Sequence, residues 1–194
     1  MIDAIVRSIE ATQQLMGSMA QDARLVQSLA NAAAACTACL RAGGKILFAG
    51  NGGSAADAQH MAGEFISRFA FERPSLAAIA LTTDSSILTA IGNDYGYEQV
   101  FSRQLSGLGR TGDVFVAYST SGNSANILRA LDEAGRLGLV RIGFTGNRGG
   151  AMDRLCDHLL AVPCADTPGI QEGHLVLGHL LCGTVESALC GPAP

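Results

Sequence analysis

The chain has 194 residues, 48% of them hydrophobic and only 15% charged, with a formal net charge of -4. That is enough apolar material for one domain with a proper core, and it excludes a disordered chain. The negative balance, with Lys and Arg scattered rather than clustered, argues against a nucleic-acid surface.

The first forty residues are predicted helical. Ile2, Ile5, Val6 and Ile9 mark one apolar stripe, and Leu25, Leu29, Ala33 and Cys36 mark a second. Asp3 and Glu10 interrupt the opening segment, so it does not read as a secretory signal. The run SLANAAAACTACL (28–40) is polar-interrupted and too short to span a bilayer. The expectation is a cytoplasmic protein with no membrane partner. Gly43-Gly44 ends the second helix, and KILFAG (45–50) then reads as a short buried parallel strand. A helix over 54–68 follows. LAAIAL (76–81) is the next strand, with helical pieces around 85–92 and 97–107. DVFVAYS (113–119), a helix over 124–137 and VRIGFTG (140–146) come next. A short helix near 150–156, a strand HLLAVP (158–163) and a last helix over 169–189 complete the order. Strand then helix, about five times over, predicts an α/β fold. It is a five-stranded parallel sheet flanked by helices, a flavodoxin-like three-layer sandwich. With no linker or repeat, residues 1–194 form one domain: an N-terminal helical hairpin (1–42) and an α/β core (43–194). The six cysteines, including the Cys36/Cys39 pair in an Ala-rich helix, read as reduced, packed thiols. Low charge with many Ala, Leu and Gly points to buried subunit contacts.

Two loops fall at strand ends, where ligands bind on such sheets. The first is GNGGS (50–54). Its glycines let backbone approach a ligand, and Ser54 stands where a helix N-cap would. Gly50, Gly52 and Ala55 also fit G-x-G-x-x-A, a dinucleotide fingerprint. That site wants an acidic residue at the end of the second strand. Glu72 precedes the strand and Asp84 lies too far along. The second loop is STSGNS (119–124). Ser119, Thr120, Ser121 and Ser124 offer four hydroxyls, with Ser124 placed to cap the next helix. Hydroxyls at a helix start suit a phosphate. No Lys is present, so this is not an NTP loop of the Walker type.

His60 and Glu64, at i and i+4, share one face of the helix opened by GNGGS, able to bind a metal or hold a base. The last helix holds Gln171, Glu172, His174 and His179. Gln171 and His179 are eight apart, about 80° around the helix. His174 is also in reach, so spacing alone does not choose between the histidines.

Taken together, GNGGS, QHMAGEF, GND (92–94), STSGNS and IQEGHLVLGH resemble the sugar isomerase (SIS) family, in order and over nearly the whole chain. The likeness is to the branch that acts on a heptose phosphate. It implies interconversion of D-sedoheptulose 7-phosphate and D-glycero-D-manno-heptose 7-phosphate through an enediol. This is the first step of bacterial heptose supply for lipopolysaccharide or capsule. It also implies a homotetramer, with one zinc ion per subunit held by His60, Glu64, Gln171 and His179. Substrate contacts fall on Asn51, Gly52, Gly53, Ser54, Asn93, Asp94, Ser119, Thr120, Ser121 and Ser124. Glu64 and Gln171 also contact substrate, and Asp57, one turn before His60, is a further candidate.

On this reading Glu64 is the base and His179 the acid. A carboxylate bound tightly to zinc is a poorer base, so Glu64 must hold the metal weakly or shift off it. Two other readings share the resemblance: an isomerase of another sugar phosphate, and the SIS-fold protein that associates with the bacterial replication initiator. The latter resembles the enzyme without its catalytic pair, whereas Glu64 and His179 are both present here.

Overall fold

The computed structural model describes residues 1–147 and 149–191. Two long helices open the chain, α1 (Ile2–Gln21) and α2 (Ala23–Arg41). They part at Asp22, whose carboxylate accepts from the backbone N–H of Arg24 and Leu25 and so caps α2. The core follows as β1 (Ile46–Ala49), α3 (Gly53–Ile66), β2 (Ala78–Ala80), α4 (Ser85–Tyr95), α5 (Ser102–Leu108) and β3 (Val114–Tyr118). It continues as α6 (Ala125–Leu137), β4 (Val140–Gly146), β5 (His158–Val162) and α7 (Thr167–Cys190).

The five strands are all parallel, in the order β2-β1-β3-β4-β5. This is the flavodoxin-like order, and it bears out the predicted fold class. The sheet is covered on both faces, which is why its strands read as continuous apolar runs rather than alternating ones. Ile46, Phe48, Val116, Tyr118, Ile142 and Phe144 pack with α2, α3 and α7 on one face. Leu47, Phe115 and Ala117 pack with α5 and α6 on the other.

Chain order reverses between β1 and β3. β1 leads outward through α3 to β2 on one side, and β3 leads through α6 to β4 on the other. A crevice opens there at the carboxyl ends of the strands.

Some boundaries differ from expectation. α7 starts at Thr167, two residues early, because Asp166 caps it through the Gly169 N–H (3.0 Å) and Pro168 suits a first turn. α3 starts at Gly53 with Gly52 as N-cap, so Ser54 is an inside residue of the first turn and makes no cap. α7 is long and apolar enough to cross a membrane by length and composition alone. It packs instead against α2, α3 and β4 as a core helix. The second predicted stripe is inward: Leu25, Ala33 and Cys36 are buried. The first is outward: Ile2, Ile5, Val6 and Ile9 are 76%, 55%, 46% and 65% exposed.

Candidate active site

The GNGGS turn follows β1 and the STSGNS loop follows β3, so the two flank the crevice. They are tied across it by side chains. Asn51 Nδ2 donates to Asn126 Oδ1 at 2.9 Å, and Asn126 Nδ2 donates back to Asn51 Oδ1 at 2.8 Å. Tyr97 Oη adds a third bond to Asn51 Oδ1 at 3.2 Å.

In the second loop, Ser119 is buried and its hydroxyl lies 2.9 Å from Ser124 Oγ and 3.4 Å from Ser121 Oγ. Ser124 is the N-cap of α6 as predicted, but its hydroxyl is shared with Ser119 rather than with the helix N–H groups. The Ile127 and Leu128 N–H groups bond the Ser124 carbonyl instead, and the positive end of the helix faces the loop. Gly122 has φ +66, and a Cβ there would strike the Gly149 backbone, so only glycine fits the bend. Thr120, Ser121 and Asn123 line a cavity of ≈ 330 Å³ with Gly146, Asn147, Ala165, Thr167 and Ile170. Its walls come from the ends of β3, β4 and β5 and the start of α7. The size and hydroxyl lining suit a phosphate group.

His60, Glu64 and His179 converge. Glu64 Oε1 is 3.0 Å from His60 Nε2, and His60 Nε2 is 3.4 Å from His179 Nε2. The three ligand atoms all lie within 4.8 Å of one another. Two imidazole nitrogens and a carboxylate oxygen aimed at one point are a donor set that could hold a metal ion, with a position left over for substrate. His174 is not part of it. It is fully buried against Tyr118 and Phe144, with no hydrogen-bond partner on either ring nitrogen among the described residues. Burial pushes its imidazole down to about 4, against a smaller opposing pull from the Thr145 backbone.

Gln171 lies eight residues before His179 on α7, a rise of about 12 Å. A Cβ on Gly53 would lie 2.6 Å from its Nε2, so this amide sits against the glycine turn that opens α3, the helix of His60 and Glu64.

Asp57 is half-buried, and its Oδ2 has no hydrogen-bond partner among the described residues. Burial raises its carboxyl, and nearby His60 pulls the other way. Ser54 is buried in the first turn of α3. Asn93 and Asp94 are exposed near the end of α4, bonded to each other at 2.7 Å. Tyr97, just beyond, reaches the glycine turn through Asn51.

The triad is braced from behind. Glu186, almost fully buried, accepts from the backbone N–H of Phe69 (2.8 Å) and Ala70 (2.7 Å) and from Arg73 Nε (2.8 Å). Burial pushes the Glu186 carboxyl up, but those donors and the guanidinium charge outweigh it and hold it below the usual carboxylate range. The Phe69 ring packs on His179, centroids 5.5 Å apart.

Sequence reasoning missed Asn126, Tyr97, Asn147, Thr167, Arg73 and Glu186. Asn147 and Thr167 carried a usable signal, since both follow strand ends. The others are brought in by tertiary contact and had none.

A SIS domain model matches residues 9–146. The phosphoheptose isomerase of Burkholderia pseudomallei is 63% identical over 187 residues, covering 96% of this chain and 95% of its own length. The chain belongs to the phosphoheptose isomerase family of SIS-domain proteins. A second such isomerase, from Aneurinibacillus thermoaerophilus, is 51% identical over 189 residues, covering 97% and 96%. The solved phosphoheptose isomerase structure from Neisseria gonorrhoeae superposes with a TM-score of 0.89 at 43% identity, covering 95% of this chain and 98% of that one.

Proposed function

We propose that the protein isomerises D-sedoheptulose 7-phosphate to D-glycero-D-manno-heptose 7-phosphate, supplying heptose for lipopolysaccharide or capsule. The observation that carries this reading is the His60–Glu64–His179 cluster, one of whose two helices, α7, also borders a phosphate-sized cavity. α7 contributes Thr167 and Ile170 to the cavity and His179 to the cluster, with Gln171 between them. A phosphate in the hydroxyl-lined cavity orients the chain of carbons toward the cluster, so remote binding contributes to positioning the reacting end.

Glu64 Oε1 faces His60, which leaves Oε2 for the substrate. Glu64 takes a proton from C1 of the ketose, giving the enediol, and returns it to C2. His179 moves the hydroxyl proton from O1 to the developing O2. The C1–H and O–H bonds broken are balanced by the C2–H and O–H bonds formed, and no electrons leave the substrate. The donor set fits zinc, one per subunit, held by His60, Glu64 and His179, with Gln171 the fourth residue that family resemblance implies. When bound, zinc would polarise the carbonyl and stabilise enediolate charge. Asn51, Gly52, Gly53, Ser54, Asp57, Asn93, Asp94 and Gln171 complete the substrate side. The outward stripe of α1 supports a homotetramer, and Val176 and Leu180 also stand exposed beside His179. The expected setting is the cytoplasm.

The test is to incubate the protein with sedoheptulose 7-phosphate and zinc in D2O and follow C1 and C2 by NMR. Deuterium at these carbons with appearance of the aldose is expected. Neither exchange nor aldose would sink the reading. Glu64→Gln should remove turnover and leave phosphate binding intact.

A further inference from the structure

Asn126 is 4% exposed, the second residue of α6, and it does not line the phosphate cavity. Its amide is spent on one partner. The two bonds with Asn51, 2.9 and 2.8 Å, close a ring in which each amide is both donor and acceptor. Swapping oxygen and nitrogen on one amide alone would set like atoms against each other, so the pair fixes both orientations together. The Tyr97 hydroxyl adds a bond to the same Asn51 Oδ1 that accepts from Asn126.

The location gives the pair its consequence. β1 and β3 are hydrogen-bonded neighbours as far as the Ala49–Ala117 register. Beyond that point the strands end and the chains diverge to helices on opposite faces of the sheet. The glycine turn goes one way into α3, which carries His60 and Glu64. The serine loop goes the other way into α6. The Asn51–Asn126 ring bridges the gap where strand pairing has stopped.

We propose that Asn126 is a positioning residue for the isomerisation. Acting through Asn51, it holds the glycine turn in register with the phosphate-binding loop. This rests on the functional reading above. Without the ring, phosphate still binds, but the reacting carbons lose their alignment with Glu64, so kcat falls more than phosphate affinity does.

The experiment compares the full chain with Asn126→Leu, which keeps side-chain size and removes both bonds, with zinc supplied. Turnover of sedoheptulose 7-phosphate, the Kd of inorganic phosphate by calorimetry, and amide hydrogen exchange at Ser54 and Ala55, whose N–H groups bond the Asn51 and Gly52 carbonyls, are measured. The expected result is kcat lowered roughly 10- to 100-fold, phosphate Kd changed less than about twofold, and exchange at these two amides accelerated about tenfold while the sheet amides stay protected. Tyr97→Phe should lower kcat by less, and its effect should shrink in the Asn126→Leu background, because both act on one oxygen. Unchanged kcat and unchanged exchange would overturn the proposal. So would a parallel loss of phosphate affinity and sheet protection, which marks a structural role only. If Asn126→Leu fails to fold, Asn126→Asp carries the same measurements. Should the unmodified protein show no turnover, the isomerase reading fails and takes the catalytic role with it, and the exchange data then decide the loop tie alone.

Discussion

Arg73 Nη2 donates to the main-chain carbonyl of Glu64 at 2.7 Å, so the helix end that presents a candidate catalytic carboxylate is capped by a buried cation. The same guanidinium bonds the Phe65 carbonyl and pairs with Glu186, whose other contacts hold the segment that packs Phe69 on His179. One buried ion pair thus supports both sides of the triad.

Breaking that pair should be severe. Arg73→Met leaves Glu186 buried without its charge partner and should destabilise the fold by about 3–5 kcal/mol. Glu186→Gln should weaken it in the same direction by less. The depressed Glu186 carboxyl also sets a pH window. Its contribution is complete above its unfolded value of 4.5 and is lost as pH falls through the lower folded value. Denaturant melts of wild type and Glu186→Gln from pH 7 downward check both points, and the gap between the two proteins should hold down to pH 4.5 and narrow progressively below it.

The contact between Gly53 and Gln171 makes a second prediction. Gly53→Ala drives a methyl against the Gln171 amide and should raise KM severalfold by displacing it. Gln171→Ala in that background removes the clash, so the double variant should show no loss beyond that of Gln171→Ala alone. Steady-state kinetics of the four proteins decide this. Additive losses would mean that the two residues do not act on each other.

His174 predicts a slope in acid stability. Both states are neutral above pH 6.5. Between 6.5 and about 4 the unfolded chain binds a proton that the buried ring refuses, so stability falls by about 1.4 kcal/mol per pH unit and levels off below. His174→Leu removes the titrating group from an apolar site and should flatten this part of the profile. Thermal melts from pH 7 to 4 read it directly.

The exposed stripe of α1 gives the fourth. Ile5→Glu with Ile9→Glu should leave the sheet intact and produce a smaller particle in solution by light scattering. An unchanged particle size would show that α1 takes no part in assembly.

The strands were legible because parallel strands buried on both faces leave unbroken apolar runs such as FVAY, and the glycine ends of β1 and β4 punctuate them. The repeated strand–helix pattern gave a parallel, flavodoxin-like sheet; the order β2-β1-β3-β4-β5 is read from the strand pairing. His60 and Glu64 were legible as a pair since one helix turn fixes their geometry. Spacing did not choose His179 over His174; the family resemblance did. Both fit the helical period, and tertiary packing shows that one ring meets His60 while the other is sealed between Tyr118 and Phe144. The Asn51–Asn126 ring joins positions 75 residues apart, and nothing local to either marks it.

α7 is a single uninterrupted rod from Thr167 to Cys190. Phosphate cavity, glycine turn and triad are therefore indexed on one rigid scale, from Ile170 through Gln171 to His179, and not on loops that can drift. An added or deleted residue between 170 and 179 would swing His179 by about 100° and move it about 1.5 Å. On the function proposed above, the helix would act as a calliper with one jaw at the phosphate and the other at the carbonyl, and a sugar phosphate one carbon shorter, gripped at the same anchor, would bring its carbonyl short of the second jaw. Chain length would then be measured by helix rise, a gauge that reshaping the surface loops leaves unchanged.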